Sequence, residues 1–158
     1  MKSDEALWRE FVLAYEVDVP EGAVEAELDV IKMDMRHRMR YDQMSGGDVH
    51  LFPERELAEQ ADELYALALF EAKEPRVLSD VIATQGLTAT PEELRSEAEA
   101  LVAREHSTLE MVQRFFGEDF AGLRRDVLNA KARAWACERM RTAPEPLETP
   151  EPREVPED

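Results

Sequence analysis

The chain has 158 residues, 44% of them apolar, enough for one domain with a sizeable core. Its formal charge is −17, which argues against nucleic acid or an anionic membrane surface as a partner. A single cysteine, Cys137, rules out an internal disulfide and fits a reducing compartment. No apolar run approaches the ~20 residues of a membrane span. Met1-Lys2-Ser3-Asp4-Glu5 lacks the basic-then-apolar layout of a signal peptide, so the expected location is cytoplasmic.

The first predicted helix covers about Ser3 to Tyr15. Ser3 can cap it, and Asp4 and Glu5 suit the positive end of its dipole. Trp8, Phe11, Val12 and Tyr15 share one face. Val17-Asp18-Val19-Pro20 then leads into a second helix over about Glu21 to Met44, with Pro20 tolerated at its start. This helix carries two apolar stripes at helical spacing. Val24, Leu28, Ile31 and Met35 form one; Ala26, Val30, Met33, His37, Tyr41 and Met44 form the other. Two stripes imply two contact surfaces. At ~1.5 Å per residue the helix is about 36 Å long, too long to be covered all round in a domain of this size. Ser45-Gly46-Gly47 ends it.

Asp48 to Phe52 reads as a connecting loop. A third helix is predicted from Pro53 to about Glu74, with Leu57, Ala61, Leu64 and Ala68 on one line. Pro75 is expected to kink or break it, because proline removes a hydrogen bond and clashes with the preceding turn. A fourth helix would follow over about Arg76 to Gln85, stopped by Gly86. Thr90-Pro91-Glu92-Glu93 is a compact start for a fifth, running to about Arg104. Ser107, with Glu110 three residues on, predicts the capping box of a sixth that ends near Phe116-Gly117. The last helix is predicted over about Glu118 to Arg141, with Phe120, Leu123, Val127, Leu128, Ala134 and Trp135 facing the core. No segment alternates convincingly as a strand. The fold expected is all-α, with about seven helices over residues 1–142. The tail, 143–158, holds five of the nine prolines and six acids against one arginine. It cannot bury enough surface to offset its ordering entropy and is expected to be disordered.

Chemistry is hard to find in these residues. His37, His50 and His106 are far apart in sequence. Asp34 and His37 sit at i, i+3, but the further ligands of a bundle metal site are missing. Glu54, Glu56 and Glu59 read as a solvated helix face in a chain with 36 acids. There is no phosphate-cradling glycine loop and no nucleophile with a base partner. The sequence therefore predicts neither enzyme activity nor a cofactor nor a metal. Methionine stands out instead: four of seven occur in the second helix, Met33, Met35, Met39 and Met44. Its flexible, polarisable side chain suits surfaces that accept varied apolar partners. Met111, Val112, Phe115 and Phe116 make a second apolar group. Adjacent Phe115 and Phe116 point about 100° apart, so one narrow stripe cannot hold both.

Several of these segments, in this order, resemble the C-terminal domain of bacterial trigger factor, a nascent-chain chaperone. They are Val17-Asp18-Val19-Pro20 with Glu27-Leu28-Asp29-Val30-Ile31, Phe52-Pro53-Glu54-Arg55-Glu56-Leu57, Thr90-Pro91-Glu92-Glu93-Leu94, and Met111-Val112 through Phe115-Phe116. The likeness covers about residues 5–142. Residues 1–158 contain neither that family's ribosome-docking loop nor its prolyl isomerase domain, so those activities are not implied. The resemblance implies two helical arms projecting from a body, with a substrate cradle between them. It also implies client contacts at Val102, Val112 and Phe115. Patch geometry adds Met111 and Phe116 on the same arm and Met33, Met39 and Met44 on the other.

Two functions follow as expectations. One is ATP-independent binding of unfolded or nascent polypeptides through exposed apolar arm surfaces. The other is a homodimeric interaction or assembly protein that holds no client, its arms covering each other's apolar patches.

Overall fold

The computed structural model describes residues 1–143. Among them are seven α-helices, one 3-10 turn and no strand. The helices are α1 (Asp4–Ala14), α2 (Glu21–Ser45), α3 (Pro53–Glu59), α4 (Ala61–Thr84), α5 (Pro91–Arg104), α6 (Leu109–Phe116) and α7 (Arg124–Thr142); the 3-10 turn is Ala121–Leu123. The expected tail lies, beyond Ala143, outside the described residues.

The body is built by α1, the C-terminal half of α4, and α7. Leu7, Trp8, Phe11 and Val12 pack with Phe70, Val77, Leu78 and Val81 of α4 and with Ala132, Ala136 and Cys137 of α7. Ala132 and Ala136 are fully buried; their small side chains let α7 lie close against its neighbours. Phe11 meets Trp135 edge-on at 5.9 Å and stacks on Trp8 at 5.8 Å, favourable offset and T-shaped geometries. Glu74 ties the three helices together: it accepts from Trp8 Nε1 at 3.4 Å and pairs with Arg133 at 2.8 Å.

The first arm is α2 laid along the N-terminal half of α4. Val24 packs on Ala68 and Ala72 near the body; further out, Met39 packs on Leu57 and Leu64. Leu28, Ile31 and Met35 complete this seam, so the first predicted stripe is the inward one. Gly46 ends α2 in the left-handed conformation, φ 78°, which glycine adopts without steric cost.

The second arm is α5 and α6 folded over the 3-10 turn and the start of α7, around Leu94, Ala98, Val112, Phe120, Leu123 and Val127. Thr90 caps α5, accepting from the Glu93 amide at 3.2 Å. Lys131 on α7 fastens the arm base, donating to Thr88 O at 2.6 Å and to both Glu93 carboxylate oxygens at 3.0 Å. That ammonium holds the Glu93 carboxyl below its ordinary pKa. Among the described residues, no substantial packing joins α2 and α3 to α5 and α6.

Four expectations are corrected. Helix continues through Pro75 and breaks instead at Gln60. Pro75 faces solvent while Ala72, Val77 and Leu78 on either side are buried in shared cores. Water can therefore reach the carbonyl that Pro75 leaves unpaired, and the Arg76 guanidinium bonds the next one, Ala72 O, at 3.0 Å. Packing outweighs the lost bond, as tertiary context often outweighs propensity. The cap of α6 is Thr108, which accepts from the Met111 amide at 3.2 Å; Ser107 is one residue too early, so there is no capping box. The last helix begins at Arg124 rather than Glu118, because Gly117 and Phe120 have positive φ and carry the chain through a turn first. In that turn a Cβ on Gly122 would stand 3.0 Å from the Phe116 backbone, so the missing side chain lets α6 approach without a shift. Finally, Ala134 faces solvent, and Ala136 and Cys137 take the core positions.

Candidate functional site

Among the described residues, nothing covers the outward stripe of α2. Ala26, Val30, Met33, His37, Tyr41 and Met44 are all exposed, Met44 the most, at 82%. They lie opposite the seam because the i, i+3/i+4 spacing of each stripe keeps it on its own side of the cylinder. In the loop at the arm tip, Val49, Leu51 and Phe52 are also exposed. Exposed large apolar side chains grouped in this way mark interaction sites on soluble proteins.

The tip is held by polar contacts around one imidazole. His50 Nδ1 lies 2.7 Å from a Glu56 carboxylate oxygen on α3, and Nε2 lies 3.3 Å from Asp42 on α2. The hydrogen bond to Glu56 raises the His50 pKa above its ordinary 6.5, partial desolvation opposes this, and Asp42 adds to the rise. Gln43 Nε2 donates to His50 O at 3.3 Å. Close by, Arg36 grips Glu54 with two hydrogen bonds of 2.7 and 3.1 Å; that fork–fork geometry holds α2 and α3 in register.

On the second arm, Phe115 is 75% exposed and Met111 is half-exposed. They border a hollow of about 250 Å³ whose other walls include Leu101, Val112 and Phe116, with Glu105 at its edge. A larger hollow, about 560 Å³, lies on the body between Trp8, Phe70 and Cys137, away from both arm surfaces.

The expected site residues divide accordingly. Met33, Met44, Met111 and Phe115 are exposed. Val102 and Phe116 are half-buried against the core of the second arm. Met39, 8% exposed, and Val112, 3% exposed, sit in the arm cores. These two support the surfaces from beneath and offer none of their own. Met39 falls one turn beyond Met35 on the inward stripe, which accounts for its burial. The residues do not form one patch: they belong to two surfaces on separate arms.

Sequence reasoning passed over Val49, Leu51 and Phe52. Their signal was available: three large apolar residues in the seven-residue loop 46–52. The acid trio has structural partners, Glu54 with Arg36, Glu56 with His50 and Glu59 with Arg55. Among the described residues no group of His, Cys, Asp and Glu is placed to hold a metal ion, and no helix is long and apolar enough to cross a membrane.

A family model described as bacterial trigger factor protein C-terminus matches residues 2–138. No curated protein and no solved structure matches the chain.

Proposed function

The chain belongs to the family of the bacterial trigger factor C-terminus, and on that footing we propose that it binds unfolded or nascent polypeptides on its two arms without ATP. One observation carries the proposal: the arms expose large apolar side chains, Met33, Tyr41, Met44, Leu51 and Phe52 on one and Met111 and Phe115 on the other. Apolar client segments would be held by burial, at ~25 cal/mol per Å² removed from water. The methionines adapt to varied client shapes. The net charge of −17 keeps a loaded complex soluble and favours basic clients. The reading places the protein in the cytoplasm, where such clients are made, and assigns it no catalytic step, cofactor, nucleic acid or membrane partner.

The test is aggregation of a chemically denatured client, followed by light scattering on dilution into the protein. Suppression that grows with the molar ratio supports the reading; unchanged scattering at molar excess overturns it. The same exposed stripe favours a second reading, a homodimer in which α2 of each copy covers the other. Sedimentation at low concentration separates the two. A tight dimer that leaves aggregation unchanged would mean assembly rather than client holding.

A further inference from the structure

Along α2 the acids come first and the bases follow. Glu21, Glu25, Glu27 and Asp29 precede Lys32, Arg36, Arg38 and Arg40, with Asp34 and Asp42 the exceptions. At about 100° per residue, Glu25, Asp29, Arg36 and Arg40 border the exposed stripe on one side, and Glu27 and Arg38 border it on the other. Arg36 is bonded to Glu54. Glu25, Glu27, Arg38 and Arg40 make no ion pair among the described residues. Charges of both signs therefore stand without partners at the margins of an apolar strip.

A second α2 laid antiparallel on the stripe supplies those partners. With a two-fold axis between Lys32 and Met33, Glu25 stands opposite Arg40 of the second copy, Glu27 opposite Arg38, and Asp29 opposite Arg36. Symmetry makes each pair occur twice and sets each margin against the same margin of the other helix. No two like charges stand opposite each other in this register. The apolar side chains fit the same axis. Met33 falls on its own copy, Val30 beside His37, and the small Ala26 beside the large Tyr41. Met44 reaches Gly22, where even an added Cβ would meet nothing within 4 Å. Parallel pairing would instead set Glu25 on Glu25 and Arg40 on Arg40, like on like.

The stripe from Ala26 to Met44 is about 27 Å long, and helices in contact share a strip ~10 Å wide, so each copy covers about 300 Å². The total, ~600 Å², is below the ~1,200–2,000 Å² of stable complexes. Such a pair forms and separates readily.

We propose that the outward face of α2 is self-complementary and pairs antiparallel with α2 of a second copy of this chain, in a weak dimer that covers the first-arm surface until a client takes it. Charge order along the helix selects this occupant over a client segment or an unrelated partner. The pairing builds on the assembly reading; only the storage role rests on client binding.

Sedimentation equilibrium of the full chain, without client, reads the pairing. Between about 10 µM and 1 mM the average mass rises from one chain towards two, and 1 M salt, where the screening length is ~3 Å, lowers it. Glu25→Arg with Glu27→Arg sets like charges opposite and weakens association at least about tenfold. Adding Arg38→Glu and Arg40→Glu to the same chain restores opposite charges, returns the net charge to −17, and brings the association back. A wild-type chain that stays monomeric throughout overturns the proposal and leaves the stripe to other occupants. So does a dimer indifferent to the first exchange, which lies elsewhere or runs parallel, and so does a fourfold variant that keeps its helix by circular dichroism yet fails to pair. If that variant loses helix, disulfide capture decides instead, Cys137 being buried. In a mixture of Ala26→Cys and Tyr41→Cys chains, cross-links between unlike chains outnumber those between like ones; the opposite order overturns the antiparallel register. Light scattering with a denatured client then separates the readings. If neither the wild type nor the first variant suppresses aggregation, the client reading fails and the pairing stands.

Discussion

Phe115 and Val112 lie three residues apart on α6, and their exposures of 75% and 3% make them a matched test of surface against core. Replacing Phe115 by Asp removes an aromatic ring from water-facing surface and leaves the core of the second arm untouched. Folding stability should change by less than about 0.5 kcal/mol, as at surface sites generally. Client affinity should change more. Fully burying a Phe side chain is worth ~1.5–3 kcal/mol, and three quarters of this one is available to a client. The loss is then about 1–2 kcal/mol, or roughly 5–30-fold in Kd. Val112→Ala should do the reverse. Two lost methyl groups and the cavity they leave cost about 2–3 kcal/mol. Unfolding temperature would fall by roughly 5–10 °C, with Kd nearly unchanged below the transition. Anisotropy of a labelled, permanently unfolded client gives Kd, and circular dichroism gives the melting curve. If Phe115→Asp leaves Kd unchanged while the fold is intact, the exposed ring of α6 is no client contact and the argument for the second arm fails.

Three further outcomes test the local physics. Thr108→Ala should lower stability by about 1 kcal/mol through the lost cap, and Ser107→Ala by much less; equal effects in thermal melts would put the cap assignment in error. Pro75→Ala should raise the unfolding temperature, because it restores an N–H to the Glu71 carbonyl and removes a residue up to ~3 kcal/mol unfavourable inside a helix, less about 1 kcal/mol from the freer unfolded chain; a lower unfolding temperature would mean that the proline ring itself is needed for packing. His50 has a raised pKa in the folded state, so its bonds to Glu56 and Asp42 contribute fully below its unfolded pKa and weaken as pH rises through the folded value. Hydrogen exchange in the 46–52 loop should therefore quicken on that rise beyond its intrinsic pH dependence, and His50→Gln should remove the extra step. An NMR titration placing the His50 pKa at or below 6.5 would refute the clasp.

Much of the architecture was legible because it follows from periodicity and caps. The two stripes of α2, the Thr90-Pro91 start of α5 and the Gly46 stop are local signals, and local signals decided them. The errors fell where tertiary packing outvoted local chemistry. Pro75 reads as a breaker in isolation, yet cores on both sides of it keep α4 continuous. Phe120 at φ 59° has no sequence signature, because a bulky residue holds that conformation only when its surroundings compel it. The candidate site was half legible. Met33, Met44 and Phe115 announced themselves by residue type and spacing. Met39 did not reveal its depth, because residue type alone does not fix which side of a helix faces inward. Leu51 and Phe52 were overlooked because loops are expected to be polar.

The helix α4 belongs to two cores at once, giving Leu64, Ala68 and Ala72 to the first arm and Phe70, Val77, Leu78 and Val81 to the body. The helix α7 does the same for the body and the second arm, through Ala132 and Val127. No cut can therefore free either limb as a miniature that folds alone. Heat or denaturant should therefore melt limbs and trunk in one transition, the shared helices acting as common beams.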